Sequence, residues 1–554
     1  MTTIINNARR RFMVQSGLGL LALSGMPSFL RAMEGMTVMP KIPPRKANPN
    51  FKADVEFDLY CRPSKSAILA GAETQVLQYS AVLKKGPKLT LSTIPGSYLG
   101  PIIRLQKGQK VRIVLHNGLT ESSVTHWHGL HVPAEMDGHP MYAIDPGATL
   151  VYEFEVLNRA GMNIYHPHPH EATASQVYHG LAGALFVHDE EEAKLELPSG
   201  EYEIPIVIQD RLFDEQNQLI YARNKHDRMV GFYGDHILVN GRPDVKLEVA
   251  SRAYRLRILN GSNARIYKLA WDDGTPITVL GVDGGLLEQP EVKAYVMLAP
   301  GERLDVWADF SGRSVGSQLV MRSLAFTGVL PKMAQGMGNM MHANQLPVGS
   351  DYPIFTVRVT QSVSDSPKLP AKLSSIPRYH INDVANPEKP VPIAISESPM
   401  AMLLNGRAYA DHDVQDFERI KLNTLQLIEI FHAHGGMAMD HKGGMGMGMG
   451  QKGRGMGGGM GMMGGMMSMA HPIHLHGQQF QIISRSVSTD KADDYETVRH
   501  GFIETGLKDT VLVMPGETVR IIKPFQDFKG LFMYHCHNLE HEDMGMMRDF
   551  SVEL

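Results

Sequence analysis

Toward the end of the chain stands Tyr534-His535-Cys536-His537-Asn538-Leu539-Glu540-His541-Glu542-Asp543-Met544-Gly545-Met546. In an extended strand successive side chains point to opposite faces, so His535 and His537 face one way and Cys536 the other, toward His541 and Met546. A thiolate, imidazoles and a weak thioether are the donor set of a blue-copper electron-transfer centre, and imidazoles alone suit further copper. Three more histidine motifs precede this segment: His126-Trp127-His128-Gly129, His166-Pro167-His168-Pro169-His170 and His471-Pro472-Ile473-His474-Leu475-His476-Gly477. His-x-His places both rings on one face of a strand, within reach of a common metal cluster. A single pair of this kind is ordinarily two surface histidines. Four motifs, confined to the first and last thirds of the chain, point to a cluster that those thirds share, with the middle third as a spacer.

The elements that must position these donors are short strands. Asp145-Pro146-Gly147, Ala299-Pro300-Gly301 and Met514-Pro515-Gly516 each precede an apolar, strand-like run. An alternating strand also recurs: Val111 to Leu115, Tyr254 to Ile258 and Leu425 to Ile428. Repeats of this kind predict three tandem all-β units, each a β-sandwich or Greek-key barrel, over 51–199, 200–364 and 393–554. The proline-rich stretch 365–392 reads as a linker, and 33–50 as an extended lead-in. At 554 residues, with 43% apolar and 20% charged residues, the chain has the size and composition of a folded protein of several domains.

Residues 9–13 read Arg-Arg-Arg-Phe-Met and precede an apolar run too short to span a bilayer. This resembles a bacterial twin-arginine export signal over 1–32, with cleavage near Ala32 and a periplasmic destination. Those 32 residues hold four arginines and no acid, so removing them takes the formal charge from −4 to about −8. A mildly acidic chain has no electrostatic case for nucleic acid. Beyond the leader no integral membrane segment is expected, and the chain reads as a monomer. Two cysteines make no disulfide framework; with Cys536 committed to metal, Cys61 reads as a buried structural thiol.

With its four histidine motifs in this order, the sequence resembles the multicopper oxidases of the three-cupredoxin type over most of its length. The resemblance implies four copper ions. His471, Cys536 and His541 would hold a type 1 copper, with Met546 axial. His126 and His474 would hold a type 2 copper, and His128, His166, His168, His476, His535 and His537 a type 3 pair. It also implies that Asp137 and Glu542, each following a motif, supply protons. Dioxygen would be the acceptor, reduced to water by electrons that the blue copper collects one at a time. His170, third in its motif, is either an outer neighbour of the cluster or an exposed bystander. His131, His139, His179 and His188 read as bystanders.

Between Met437 and Met469 lie twelve methionines in 33 residues, interleaved with glycine. Such a run cannot build a core. Compared with the first unit, where 118–125 link the alternating strand to His126, the third unit carries an insert over 432–470 that ends just before His471. Soft thioethers select Cu(I). Met445, Met447, Met449, Met460, Met463, Met467 and Met469 are therefore candidates for a substrate Cu(I), with His432, His434, Asp440 and His441 as harder donors. Met333, Met337, Met340 and Met341 form a smaller cluster in the middle unit. This pattern resembles the copper efflux oxidases of the bacterial periplasm, which oxidise Cu(I) to Cu(II). Two departures stand out: the insert adjoins His471 rather than preceding the third unit's first strands, and Met467 stands where those enzymes carry an acid. The expected function is a cuprous oxidase. The alternatives are a laccase-like phenol oxidase, a ferroxidase, or a copper-sequestering protein without turnover, for which a covalent bridge between two metal sites has no use. Replacing Cys536 with serine is expected to abolish the blue absorption and turnover while leaving the fold; an intense blue band in C536S would refute the type 1 assignment.

Overall fold

Val111, Ile113 and Leu115 alternate with Arg112, Val114 and His116 along the strand Lys110–Asn117; the first set is fully buried and the second part-exposed. The computed structural model describes residues 42–222, 224–331, 346–398, 401–432 and 468–554. The leader, the methionines from Met437 to Met467, and Met333, Met337, Met340 and Met341 lie outside the described residues.

The strands equivalent to Lys110–Asn117 are Ala253–Asn260 and Thr424–His432. Each pairs in parallel with the strand that opens its sheet, Val55–Ser66, Glu203–Arg211 or Val391–Ser398. On its other edge each pairs antiparallel with the strand after the Pro-Gly turn, Thr149–Glu155, Arg303–Asp309 or Glu517–Phe525. The turn glycines Gly147, Gly301 and Gly516 all sit at positive φ, 79°, 81° and 71°, where a side chain would be strained. The sequence repeat is thus one supersecondary unit used three times.

Six sheets result, of four and five strands in the first unit, seven and five in the middle, five and five in the last. Each pair encloses its own apolar core. Leu59, Ile113 and Tyr152 of one sheet meet Ile103, Leu185 and Val187 of the other in the first unit. Leu256 and Val306 meet Leu269 and Val357 in the second, and Ile430 and Ile521 meet Ile473 and Tyr534 in the third. Burial of each such side chain is worth about 1.5–3 kcal/mol. Cys61 lies in the first core, its thiol near His116 O and Asn117 Oδ1, and burial pushes its pKa up to about 11. Helices are short, and among the described residues none is long and apolar enough to cross a membrane.

The segment expected as a linker is tied down along its length. Ser374 Oγ donates to Leu287 O in the middle unit, Ser375 N to Glu191 of the first, and Tyr379 N to Gln481 of the third. Its prolines keep it extended, and its backbone finds partners on all three sandwiches.

One strand residue runs against the apolar pattern. Lys523, in Glu517–Phe525, is fully buried; its ammonium donates to Gln478 O and lies 5.4 Å from the Phe525 ring centre. Burial lowers its pKa to about 7 from the ordinary 10.5, with Asp509 and Asp137 opposing the shift. Because the folded value is the lower one, the unfolded chain binds the extra proton between about pH 7 and 10.5. The destabilisation is therefore complete below pH 7 and is relieved as pH rises through that window. In metal-free protein, Lys523→Met should raise the unfolding free energy at pH 6 by on the order of 4 kcal/mol and by much less at pH 9.5. Urea denaturation at the two pH values measures this, and equal effects at both would refute it.

Candidate metal centre

One strand serves two sites because its faces alternate. Gly530–Cys536 pairs with His471–Leu475 so that Cys536 lies opposite Ile473 and His535 opposite His474. Cys536 and His471 point into the core of the third sandwich, whereas His535, His537, His474 and His476 point out of it toward the first unit. There the strand Thr125–His128 pairs with Gly161–Pro167 and sets His126 opposite His166.

At the inner site the Cys536 thiol lies 3.4 Å from His471 Nδ1 and 3.6 Å from His541 Nδ1. Each imidazole is tied back through its other nitrogen, His471 Nε2 to Glu397 Oε1 at 3.0 Å and His541 Nε2 to Met229 O at 3.1 Å. Both Nδ1 atoms are thereby left facing the sulfur. Met546 is fully buried beside them, its backbone bracketing the site through Cys536 N to Met546 O and Met546 N to His541 O. Asn538 N approaches the sulfur at 3.4 Å. The short helix Leu539–Asp543 carries His541 and is held from outside. Glu540 accepts from Asn263 and Phe232 N of the middle unit, and Asp543 from Thr173 N and Ala174 N of the first.

At the outer site eight imidazoles meet: His126, His128, His166, His168, His474, His476, His535 and His537, all buried. Ligand atoms of His126, His128 and His166 lie within 4.8 Å of one another, as do those of His126, His474 and His476, and of His168, His476 and His535. His537 closes the ring, 5.0 Å from His128 between ring centres. Burial first, then the neighbouring imidazoles, push His168, His474, His476 and His537 far below the ordinary histidine range and His166 to about 3. For His128 the Arg303 charge follows burial. These rings are neutral at pH 7, the state that ligates metal.

Whether a metal fits is decided by the nitrogens left over. His126 Nε2, His128 Nδ1, His166 Nε2, His168 Nδ1, His474 Nε2 and both His537 nitrogens are buried with no hydrogen-bond partner. Buried polar atoms in proteins are otherwise almost always satisfied. The opposite nitrogens are tied back: His126 Nδ1 to Asp137 O, His128 Nε2 to Asp509, His166 Nδ1 to Pro167 O and His474 Nδ1 to Asp509 O. A set of buried, unpartnered imidazole nitrogens, with a cysteine–histidine site next door, fits copper ions.

Asp137 and Glu542 are both buried and both touch these histidines. Asp137 Oδ2 accepts from His476 Nδ1 at 2.8 Å; Glu542 lies 3.1 Å from His535 Nδ1 and 3.6 Å from His168 Nε2. His170 is exposed, its ring against Tyr409 and outside the cluster. His131, His139, His179 and His188 pair instead with Asp527, Asp549, Ser175 and Glu192.

Two groups of residues were not singled out by sequence reasoning. Asp509, Thr510 and Arg303 surround His128 and His474, and no local motif marks them. Glu397 stands 74 residues before His471. Its carboxylate lies 3.6 Å from His432 Nδ1 and accepts from Met469 N at 2.7 Å. Burial alone would raise its pKa, but His432 and His471 hold it well below the ordinary carboxylate range. An acid contributed by another strand, Val391–Ser398, thus lies against His471 and Met469. Of the methionine candidates, Met469 is described and buried; Met445, Met447, Met449, Met460, Met463 and Met467 lie outside the described residues.

Two sequence profiles described as multicopper oxidase match residues 76–192 and 461–554. The chain is 31% identical over 457 residues to the multicopper oxidase mco of Staphylococcus haemolyticus, covering 82% of this chain and 83% of that one. It is 28% identical to the laccase of Bacillus subtilis, covering 82% and 89%. The crystal structure of the McoA multicopper oxidase from Aquifex aeolicus superposes with a TM-score of 0.72 at 30% identity, covering 91% and 97%. Its cupredoxin-like sandwiches, its copper-suited histidine cluster and these similarities agree: the chain belongs to the multicopper oxidase family, copper-dependent oxidoreductases that use dioxygen.

Proposed function

We propose that this oxidase takes Cu(I) as its electron donor, and that Glu397 is the point at which the donor meets the electron-transfer site. The observation that carries this reading is the position of Glu397. It bonds His471 directly, and the described residues on either side of the methionine-rich insert, His432 and Ser468-Met469, gather around it. The described residues that flank a run of Cu(I)-selecting thioethers therefore meet at the carboxylate that accepts from His471 Nε2.

In the same reading His471, Cys536, His541 and Met546 hold a type 1 copper, His126 and His474 a type 2 copper, and the remaining six cluster histidines a type 3 pair. Four coppers so held supply one-electron acceptance at the thiolate site and four-electron reduction of dioxygen to two waters at the cluster. The residues do the rest. Glu397 fixes the His471 tautomer and offers a carboxylate to the incoming cation. Cys536 and its neighbours His535 and His537 give a covalent path only one residue long between the two sites. Asp137 and Glu542 hold proton-accepting oxygens against His476 and against His535 and His168, and the reaction needs four protons per dioxygen. The twin-arginine-like leader supports a periplasmic location, where Cu(I) oxidation would serve copper tolerance.

A laccase-like activity toward phenols is the second reading, supported by similarity to the Bacillus subtilis laccase. Oxygen uptake by copper-loaded protein with Cu(I), Fe(II) and a phenol, corrected for uncatalysed Cu(I) oxidation, separates the two. Cu(I) should give the highest kcat/KM. Deleting 437–467 should lower the Cu(I) rate and raise the phenol rate, and Glu397→Ala should lower kcat/KM for Cu(I) about tenfold while the blue band persists. A phenol rate above the Cu(I) rate in the intact chain, or Cu(I) turnover indifferent to both changes, would overturn the cuprous reading.

A further inference from the structure

The middle sandwich contributes none of the histidine motifs, yet it reaches the cluster. Its strand Arg303–Asp309 starts just after the turn Ala299-Pro300-Gly301. A Cβ on Gly301 would stand 2.9 Å from His537 Nε2, so the turn backs directly onto that ring. Two residues on, the Arg303 side chain enters the seam between all three units, about 1% exposed.

A guanidinium has five N–H donors in a planar fork, and Arg303 uses all five. Nε donates to Met162 O of the first unit at 2.9 Å. Nη1 donates to Gly301 O at 3.0 Å and Nη2 to Asp283 O at 3.1 Å, both within the middle unit. The remaining pair grips Asp509 of the third unit in bidentate fashion, at 2.7 Å to Oδ1 and 2.6 Å to Oδ2. Asp509 Oδ1 in turn accepts from His128 Nε2 at 3.0 Å and from Thr510 Oγ1 at 3.0 Å, and lies 3.6 Å from His474 Nδ1. The backbone carbonyl of Asp509 accepts from His474 Nδ1 at 2.8 Å. Asp509 therefore orients a histidine from the first unit through its carboxylate and one from the third through its backbone carbonyl, and the middle unit orients the carboxylate.

The glycine that ends the first motif fits this arrangement. Gly129 sits at φ 94°, and a Cβ there would fall 2.6 Å from Arg303 Nη2 and 2.9 Å from Asp509 Oδ2. Room for the ion pair beside His128 is built into the motif. A second buried pair, Lys508 with Asp283 and Glu302 at 2.9 and 3.0 Å, holds the neighbouring residue of the same strand approach to the same middle unit.

We propose that Arg303 and Asp509 are positioning residues for the oxygen-reducing cluster: Arg303 of the middle unit fixes the Asp509 carboxylate, which fixes His128 in the tautomer that leaves Nδ1 for metal and steadies His474. A buried ion pair is a poor source of net stability, since desolvation offsets its attraction. Its use here is geometric. Hydrogen-bond partners of ligating histidines commonly change metal affinity tenfold to a hundredfold when removed.

The inference rests on reading His128 and His474 as copper ligands, and the test keeps the two apart. Full-length Asp509→Asn, Arg303→Lys and His128→Ala are copper-loaded. Copper per chain, the blue absorption, the electron paramagnetic resonance of the cluster copper and its release to a chelator are then recorded, together with thermal unfolding of the copper-free forms. Asp509→Asn and Arg303→Lys should keep the blue absorption and the unfolding midpoint, alter the cluster resonance, and release cluster copper about ten times faster. Folded variants with unchanged resonance and release would overturn the inference, as would loss of the blue site in parallel with the cluster. If Arg303→Lys does not fold, Asp509→Asn, which keeps the volume of the carboxylate, decides by the same criteria. If His128→Ala retains all cluster copper, the ligand reading itself falls.

Discussion

Eight imidazoles can be buried against one another only if each ring is neutral and each knows which nitrogen carries its proton. For His128, His166, His168, His474, His476 and His537, burial and the neighbouring charges ensure the first condition at pH 7. For five of the rings the second is met by outer contacts: the carbonyls of Asp137, Pro167 and Asp509 for His126, His166 and His474, and the carboxylates of Asp509 and Asp137 for His128 and His476. What remains is an inward set of lone pairs with nothing to bond but a cation. The surrounding structure can be understood as the means of bringing those outer contacts to the right rings.

That requirement explains why three sandwiches are needed where two carry all the ligands. The first unit brings His126, His128, His166 and His168; the third brings the other four rings and the thiolate. Their seam would hold two facing walls of unsatisfied polar groups if nothing else filled it. The middle unit fills it with the Gly301 turn, Arg303 and Asp283, and pins the helix bearing His541 through Asn263 and Phe232. The buried Lys523, at the edge of the same seam, shows that an ammonium is tolerated there at a cost in stability.

The donor side follows the same logic in a smaller space. His471 must leave Nδ1 for the thiolate site, so Nε2 needs an acceptor, and Glu397 is that acceptor. In the proposed reading, a carboxylate buried against two imidazoles would also be a ligand for a cation arriving from outside. One residue can therefore hold the electron-transfer histidine in place and mark where an electron donor approaches it.

Alternation in Tyr534 to His537, the four histidine motifs and the repeated Pro-Gly turns are local patterns, and each is readable because strand geometry has a period of two and turns require glycine at positive φ. From them the sequence alone determined three all-β units and pointed to a thiolate site beside a histidine cluster, with the individual ligands implied by the family resemblance. Asp137 and Glu542 were readable only through their place after a motif. Glu397, Asp509 and Arg303 were not readable at all. Glu397 acts on a histidine 74 residues away and Asp509 on one 381 away, while Arg303 acts on Asp509 from 206 residues away. No sequence period connects such partners, because the third dimension is what brings a hydrogen-bond acceptor to a ring. The tertiary structure decided which nitrogens of His126, His128, His166 and His474 are tied back and which are left over, because only folding brings a hydrogen-bond acceptor to one side of each ring.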